Sequence, residues 1–140
     1  MKYLKIILLL STLLIAKQHY NSVFIDEVTS VYDGDTFKVN INSYPDIIGK
    51  RVPIRLSGID TPELRSKCQK EKQLARIAKQ LTVNILRGAK VIELKNLKRG
   101  KYFRIIADVY ADDKNLASEL IKNNLAVIYN GGTKIKNWCK

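Results

Sequence analysis

The chain has almost no histidine and little cysteine, and these shortages exclude several kinds of catalytic site. Its one histidine, His19, lies near the N-terminus, and the 140 residues contain two cysteines, Cys68 and Cys139. A Ser-His-Asp triad, a Cys-His pair and a histidine-based nuclease mechanism are therefore not expected. Two cysteines and one histidine are also too few for a structural zinc site. Because no glycine-rich phosphate loop of Walker type is present either, the chemistry must rest on other residues.

Acidic residues are scarce beside basic ones. The chain has 25 Lys and Arg against 13 Asp and Glu, which gives a formal net charge of +12 and a pI of about 9.8. The basic residues are spread along the chain, and such a surplus creates a field that attracts nucleic acid or an anionic membrane. A lysine-rich solvated surface without a polyanionic partner is the alternative. A hydrophobic content of 46% is enough for one folded domain.

Hydrophobic runs are short, and the longest lies at the N-terminus. Residues 1–5 are positively charged and residues 6–16 are mostly apolar, which is typical of a secretory signal peptide and too short for a comfortable membrane span. We predict a signal peptide at residues 1–16, a linker at 17–22 and a secreted or periplasmic protein of a bacterium. Ala16 suits the last position before a cleavage site, but Leu14, two residues earlier, is larger than the small residue usual there, so an N-terminal anchor is the alternative.

Export changes how the two cysteines are interpreted. An even number of cysteines in an oxidising compartment favours pairing. The simplest hypothesis is a disulfide between Cys68 and Cys139 that ties the C-terminal segment 131–140 to the middle of the chain. Two unpaired thiols are the alternative.

The hydrophobic pattern predicts an α+β domain that is mainly β, at residues 23–130. Alternating or β-branched segments predict five strands, at residues 23–32, 36–41, 52–56, 91–94 and 102–110. The spacing of Ser66 and Gln69 predicts a capping box, followed by a helix that ends near Arg87 and Gly88. A second, short helix is predicted from Leu116. Five strands with a helix between the third and fourth are typical of an OB-fold barrel with two or three helices.

Three acids stand at predicted strand ends. Asp35 follows a turn and starts a strand, Asp60 ends one, and Glu63 follows Pro62, which restricts the local backbone. Carboxylates and backbone carbonyls, such as that of Thr61, are the ligands that Ca²⁺ prefers. A carboxylate near a metal-bound phosphate can position or deprotonate a water. Taken alone, the residues around Asp35 are equally typical of an Asx-turn.

Two arginines complete the pattern. Arg55 projects from the strand face opposite the aliphatic residues, and Arg104 lies near the start of the fifth predicted strand. A guanidinium binds phosphate bidentately and stays charged, so a pair can neutralise both the bound phosphate and the charge of its transition state. Tyr102 could contact a phosphate or stack on a base, or it could pack on the barrel.

These motifs together resemble those of the staphylococcal nuclease (thermonuclease) family. They are Asp33-Gly34-Asp35-Thr36, Arg55 five residues before Asp60-Thr61-Pro62-Glu63, and Lys101-Tyr102-Phe103-Arg104. The resemblance covers roughly residues 23–129. It implies an OB barrel that binds one Ca²⁺ and cleaves DNA and RNA endonucleolytically, leaving 3′-phosphate ends. The two cysteines and the end of the chain resemble an exported bacterial branch of the family.

The resemblance assigns a role to each matching residue. Asp35 and Asp60 match the calcium-binding aspartates, and Thr61 matches the carbonyl ligand. Glu63 matches the residue usually proposed as general base, and the two catalytic arginines match Arg55 and Arg104. Positions that contact the nucleotide match Lys101 and Tyr102, with Tyr129 as a further candidate.

Phe103 departs from the family pattern, which commonly has glycine directly before this arginine. A bulky residue there could alter the turn or occlude the nucleotide. A non-catalytic nucleic-acid-binding OB barrel is therefore the alternative function, although all five matched acids and arginines are present. An anchored surface protein that binds anionic lipid or polymer is a third hypothesis. DNA and RNA are the expected partners of a monomer that needs no stable protein partner and meets the membrane only during export.

Overall fold

The computed structural model describes residues 22–140, so the predicted signal peptide and nearly all of the predicted linker lie outside it. Within this range the chain forms nine strands and three helices. The strands are β1 (Ser22–Phe24), β2 (Glu27–Val31), β3 (Thr36–Asn40), β4 (Val52–Leu56), β5 (Ile59–Asp60), β6 (Ile92–Arg99), β7 (Ile105–Ala111), β8 (Lys114–Asn115) and β9 (Val127–Ile128). The helices are α1 (Asp46–Gly49), α2 (Gln69–Gly88) and α3 (Leu116–Lys122). None of these helices has the length and hydropathy needed to cross a membrane.

The main sheet has the order β1-β6-β7-β4-β3-β2, with β8 beside β7 and a separate β5-β9 pair. Strands β4 and β7 are parallel, and the other pairs are antiparallel. The two outer strands, β1 and β2, are consecutive in the chain, so the segment that joins them runs from one edge of the sheet to the other. Ile25 donates to Ile92 O at 2.9 Å on one side, and Asp26 donates to Asn40 O at 3.0 Å on the other.

The predicted fold class is confirmed: the chain is a mainly β single domain with three helices, consistent with the OB-like fold. The five longest strands, β2, β3, β4, β6 and β7, correspond to the five predicted ones. A closed barrel is not seen, because no ladder joins the outer strands β1 and β2 in the part of the chain that the structure describes.

The core lies between the curved sheet and α2. Alternate residues of β3 and β4, such as Phe37 and Ile54, are fully buried, as the period of two predicts. Each large apolar side chain buried in this way stabilises the fold by roughly 1.5–3 kcal/mol. Helix α2 packs through small residues, including Ala75 and Ala78, and the buried Thr82 donates to Gly34 O at 2.7 Å. That bond anchors the turn before β3 to the helix.

Three local predictions were wrong. The pattern predicts no element between residues 41 and 52, but α1 lies there. The predicted capping box of Ser66 and Gln69 is replaced by an N-cap at Cys68, whose sulfur accepts from Glu71 N at 3.4 Å. The fourth and fifth predicted strands have other bounds, because β6 continues through Arg99 and β7 begins only at Ile105.

Candidate active site

The turn before β3 presents two buried aspartates. Asp35 is 2% exposed and Asp33 is 8% exposed. Asp35 Oδ1 accepts from Thr36 Oγ1 and from Arg55 Nη1, both at 2.8 Å. The backbone carbonyl of Asp35 accepts from Leu56 N at 2.9 Å, which fixes the turn against β4. The ladder pairs Thr36 with Arg55, so strand register itself places this arginine beside the aspartate.

Gly34 brings the two acidic motifs together. A Cβ at this position would lie 2.9 Å from Ala78 Cβ and 3.3 Å from Thr61 Cγ2, closer than real Cβ atoms normally approach. Glycine therefore lets the turn settle directly against α2 and the residue after Asp60. Asp60 and Thr61 are themselves 3% and 2% exposed. The strand ends that carry Asp35 and Asp60 are therefore neighbours.

A cleft of about 250 Å³ collects the three residues predicted to be catalytic, Arg55, Glu63 and Arg104. Asp33, Tyr32 and Arg65 also line it. Arg104 Nε is buried, without a hydrogen-bond partner in the part of the chain that the structure describes. The cleft has the side chains of both Arg55 and Arg104 in its lining. Guanidinium groups form charge-assisted hydrogen bonds with phosphate oxygens, so the cleft is suited to bind a phosphate group between two arginines.

Burial changes the titration of Asp33 in the cleft. Burial, reinforced by the charge of Asp35, raises the pKa of Asp33 to about 7, while its bond from the Asp35 backbone and the nearby Arg55 oppose the change. The Asp33 carboxyl therefore keeps its proton to a higher pH than an ordinary aspartate. A cation beside it would favour its ionised form.

Glu63 is oriented by a residue that the sequence patterns did not single out. Its backbone N–H donates to Glu71 Oε1 at 3.0 Å, and the second oxygen of Glu71 accepts from Ser66 Oγ at 2.6 Å. Glu71 thus ties the loop that carries Glu63 to the first turn of α2. The signal was present, because Cys68 and Glu71 have the spacing of a capping box. The Glu63 side chain is more than half exposed toward the cleft.

The C-terminal segment, residues 131–140, reaches the same acids. Lys134 Nζ lies 2.7 Å from Asp60 Oδ1 and 2.5 Å from Glu63 Oε1. The first contact is an ion pair only: within residues 22–140, Asp60 Oδ1 is buried and has no hydrogen-bond partner. Burial lowers the pKa of Lys134, but the two carboxylates outweigh burial and raise that pKa above its ordinary value. Trp138, 7% exposed, points Nε1 at Asp60 Oδ2 from 3.5 Å.

A disulfide holds this segment in place. Cys68 and Cys139 are bonded, as the simplest hypothesis from the sequence has it. The bond joins the residue that caps α2 to the residue after Trp138. Lys134 and Trp138 were missed as site residues because their position depends on this long-range link, which no local pattern reveals.

The buried acids are suited to a hard divalent cation. Asp35 and Asp60 are buried carboxylates, and Asp60 Oδ1 already attracts the ammonium of Lys134. Within residues 22–140, the one group of three possible ligand side chains clustered within 4.8 Å is Cys68, Glu71 and Cys139. Its two sulfurs are joined in the disulfide, so that group is not a metal site. Ca²⁺ at the two aspartates would use carbonyl and water oxygens as further ligands.

The three residues predicted to bind substrate do not lie in one cleft. Tyr129 lines a second cleft of about 410 Å³ with Arg55 and Lys98. Lys101 and Tyr102 stand on the exposed turn between β6 and β7, and Tyr102 is 90% exposed. The structure thus brings Tyr129 near the arginine cleft and leaves Lys101 and Tyr102 outside the clefts described here.

Comparison with known proteins agrees with this geometry. Residues 53–137 match the family described as "Staphylococcal nuclease homologue". Endonuclease YncB of Bacillus subtilis is 32% identical over 73% of this chain and 48% of its own length. Probable endonuclease LCL3 of Phaeosphaeria nodorum is 34% identical over 54% of this chain and 27% of its own length. The chain therefore spans about half or less of the length of these two relatives.

Proposed function

Because the chain belongs to the staphylococcal nuclease family, we propose that it is an endonuclease that hydrolyses phosphodiester bonds of DNA and RNA. The observation that carries the proposal is the cleft in which Arg55, Arg104 and Glu63 meet above buried aspartates. A chain with formal net charge +12 attracts the substrate, and three acids, Asp35, Asp60 and Glu63, lie where the chemistry would occur.

Each side chain of the cleft has a distinct proposed role. Arg104, whose side chain lines the cleft, binds a phosphate oxygen directly. Arg55 is held by Asp35 and adds a second positive charge where negative charge grows in the transition state. Glu63, at the open side of the cleft and oriented through Glu71, accepts a proton from the attacking water. Attack in this arrangement is proposed to leave 3′-phosphate ends, as the resemblance implies.

We propose Ca²⁺ as the cofactor, held by Asp35, Asp60 and the carbonyl of Thr61. A bound divalent cation would supply charge that stabilises the phosphorane-like transition state. Two observations support this cofactor. Both carboxylates are buried, and the turn before Asp35 packs against Thr61, the residue after Asp60. Asp60 also forms an ion pair with the ammonium of Lys134.

The decisive test is cleavage of single- and double-stranded DNA and of RNA with Ca²⁺ and with a chelator. We expect cutting that needs Ca²⁺, and we expect Asp35→Ala to abolish it, because the variant lacks one of the two buried carboxylates. Circular dichroism of the variant shows whether the fold survives. Salt-sensitive binding without cutting, in well-folded wild-type protein, would favour the non-catalytic nucleic-acid-binding barrel instead.

Lys134 and a divalent cation cannot both use Asp60 Oδ1, so removing the lysine should strengthen cation binding. The Lys134 side chain is 40% exposed, and an ion pair of this exposure contributes only about 1 kcal/mol. We therefore expect Lys134→Met to lower the Kd for Ca²⁺ about five- to tenfold, measured by calorimetry. Lys136→Met removes the same charge from the same segment and serves as the control, with an expected change below about twofold. Equal shifts in both variants would mean that Lys134 acts only through overall charge.

We further propose that the protein works outside the cytoplasm of a bacterium, after cleavage following Ala16. The disulfide supports an oxidising compartment. Fractionation of expressing cells tests this, because a shortened soluble protein in periplasm or medium is expected, whereas full-length protein in membranes would indicate an anchor.

A further inference from the structure

A groove of about 330 Å³ beside the catalytic cleft has no role in the proposed chemistry. We call it the side groove. Its walls include Tyr44 and Ile48 on one side and Leu97 and Phe103 on the other. Ile48 is 47% exposed and Phe103 is 74% exposed. The groove therefore offers apolar and aromatic surface that the fold leaves uncovered.

The rim of the side groove is basic. None of the lining residues is acidic. Five are lysine or arginine: Lys50, Arg51, Lys98, Arg99 and Arg104. The guanidinium of Arg99 lies 5.2 Å from the centre of the Phe103 ring. An aromatic ring flanked by cations is the combination with which proteins hold a base and its phosphates without reading sequence. The charge complements a nucleic acid strand and opposes a cationic partner.

The backbone is strained to present Phe103 there. Tyr102 and Phe103 both have left-handed backbone, with φ of 57° and 59°. For residues other than glycine this conformation costs roughly 1 kcal/mol or more each, and such strain is concentrated at functional sites. A glycine would occupy this turn more easily, so the aromatic side chain stands at this position at a local cost. Gly100 N and Arg104 O close the turn at 2.7 Å.

The side groove is continuous with the site already described. Arg104 lines both the side groove and the catalytic cleft. Lys98 lines both the side groove and the cleft of Tyr129. A strand whose phosphate lies on Arg104 can therefore continue into the side groove without leaving protein surface.

We propose that the side groove is an additional nucleotide subsite, in which a base of the substrate strand stacks on Phe103 and nearby phosphates contact Arg51 and Arg99. This subsite rests on the proposed function, because it extends the same substrate path beyond the scissile phosphate. It gives the protein a preference for strands several nucleotides long. In this proposal Phe103 binds the substrate strand, whereas the sequence suggested that its bulk could occlude the nucleotide.

Binding in the presence of chelator tests the subsite without requiring catalysis. Fluorescence anisotropy would compare a labelled single-stranded DNA of eight nucleotides with a dinucleotide. We expect Phe103→Gly, which also relieves the backbone strain, to raise the Kd of the octamer about tenfold and that of the dinucleotide less than twofold. Removal of an aromatic ring changes affinity at every salt concentration equally.

The cationic contacts have a separate signature. In Arg51→Gln/Arg99→Gln, the slope of log K against log salt for the octamer should decrease by about 1.4, since each phosphate contact on a single strand contributes about 0.7. The control Arg76→Gln/Arg87→Gln removes two exposed charges from α2, away from the groove, and should leave this slope close to that of the wild type.

The two proposals fail in different ways. If the octamer and the dinucleotide weaken equally, or if the α2 control matches the groove variant, the subsite is wrong even when Ca²⁺-dependent cutting is intact. If the octamer alone weakens but no cutting occurs with Ca²⁺, the subsite stands as part of a binding protein and the nuclease proposal is wrong.

Discussion

Replacing Arg55 with alanine is expected to lower turnover by about a thousandfold or more. Arg55 lines the catalytic cleft, and its Nη1 lies 2.8 Å from Asp35 Oδ1. The variant loses charge stabilisation in the transition state, and losses of this kind in a water-poor site reach about 10²–10³ for one donor. It also leaves Asp35 without its cationic partner, which disturbs one of the two carboxylates proposed to hold Ca²⁺. Initial rates on a defined oligonucleotide with saturating Ca²⁺ measure the effect.

Two companion variants show whether the loss is chemical. Arg55→Lys keeps a positive charge beside Asp35 and should fold normally, yet it lacks the bidentate fork and should remain at least about a hundredfold slower. Glu63→Gln preserves shape and should lose turnover by orders of magnitude as well, because an amide cannot accept the proton. Arg76→Ala, an exposed arginine of α2, is the control. Rates near that of the wild type in both Arg55→Lys and Glu63→Gln would remove these residues from the mechanism.

Loss of the disulfide should have the largest effect on stability. The two cysteines are 71 residues apart in sequence, and the chain-entropy model gives about 4 kcal/mol for closing a loop of that size. That value is a large fraction of the stability of a small domain. We expect Cys68→Ser/Cys139→Ser to reduce the free energy of unfolding by about this amount in urea titrations. The wild type with reductant should approach the same value.

Cys68 both caps α2 and forms the disulfide, and two double variants separate these functions. Serine is a good N-cap residue, so the double serine variant loses the crosslink alone. Cys68→Ala/Cys139→Ser also loses the acceptor of Glu71 N and should be less stable by about 1 kcal/mol more. If the double serine variant is as stable as the oxidised wild type, the disulfide positions the C-terminal segment without stabilising the fold.

The sheet could be predicted because its signals are local. In β3, Phe37 and Val39 are buried while Lys38 is exposed, and a period of two is sufficient to identify a strand with one buried face. The opposite face of β4 carries Arg55, so its direction followed from the same alternation. Arg55, Glu63 and Arg104, which line one cleft, were predicted as site residues because they belong to motifs that are specific when taken together.

Other features depend on contacts that no local pattern encodes. Tyr102 and Phe103 have strong strand propensity, and only the turn geometry reveals that their backbone is left-handed. Helix α2 begins after Cys68 rather than after Ser66, because the Ser66 hydroxyl donates to Glu71 instead of capping the helix. The position of Lys134 at Asp60 requires both the disulfide and the burial of Trp138.

The short strand β1 sets a limit on how far the N-terminal side can be trimmed. Its residues pair with Lys95, Leu94 and Glu93 of β6 and cover the outer edge of that strand. Without them, β6 would expose a row of free backbone N–H and C=O groups, to which a second copy of the chain can add its own strand. The proposed cleavage after Ala16 would leave this cover intact. Proteolysis beyond Phe24 would instead leave the outer edge of β6 unpaired, and the domain would become prone to aggregate.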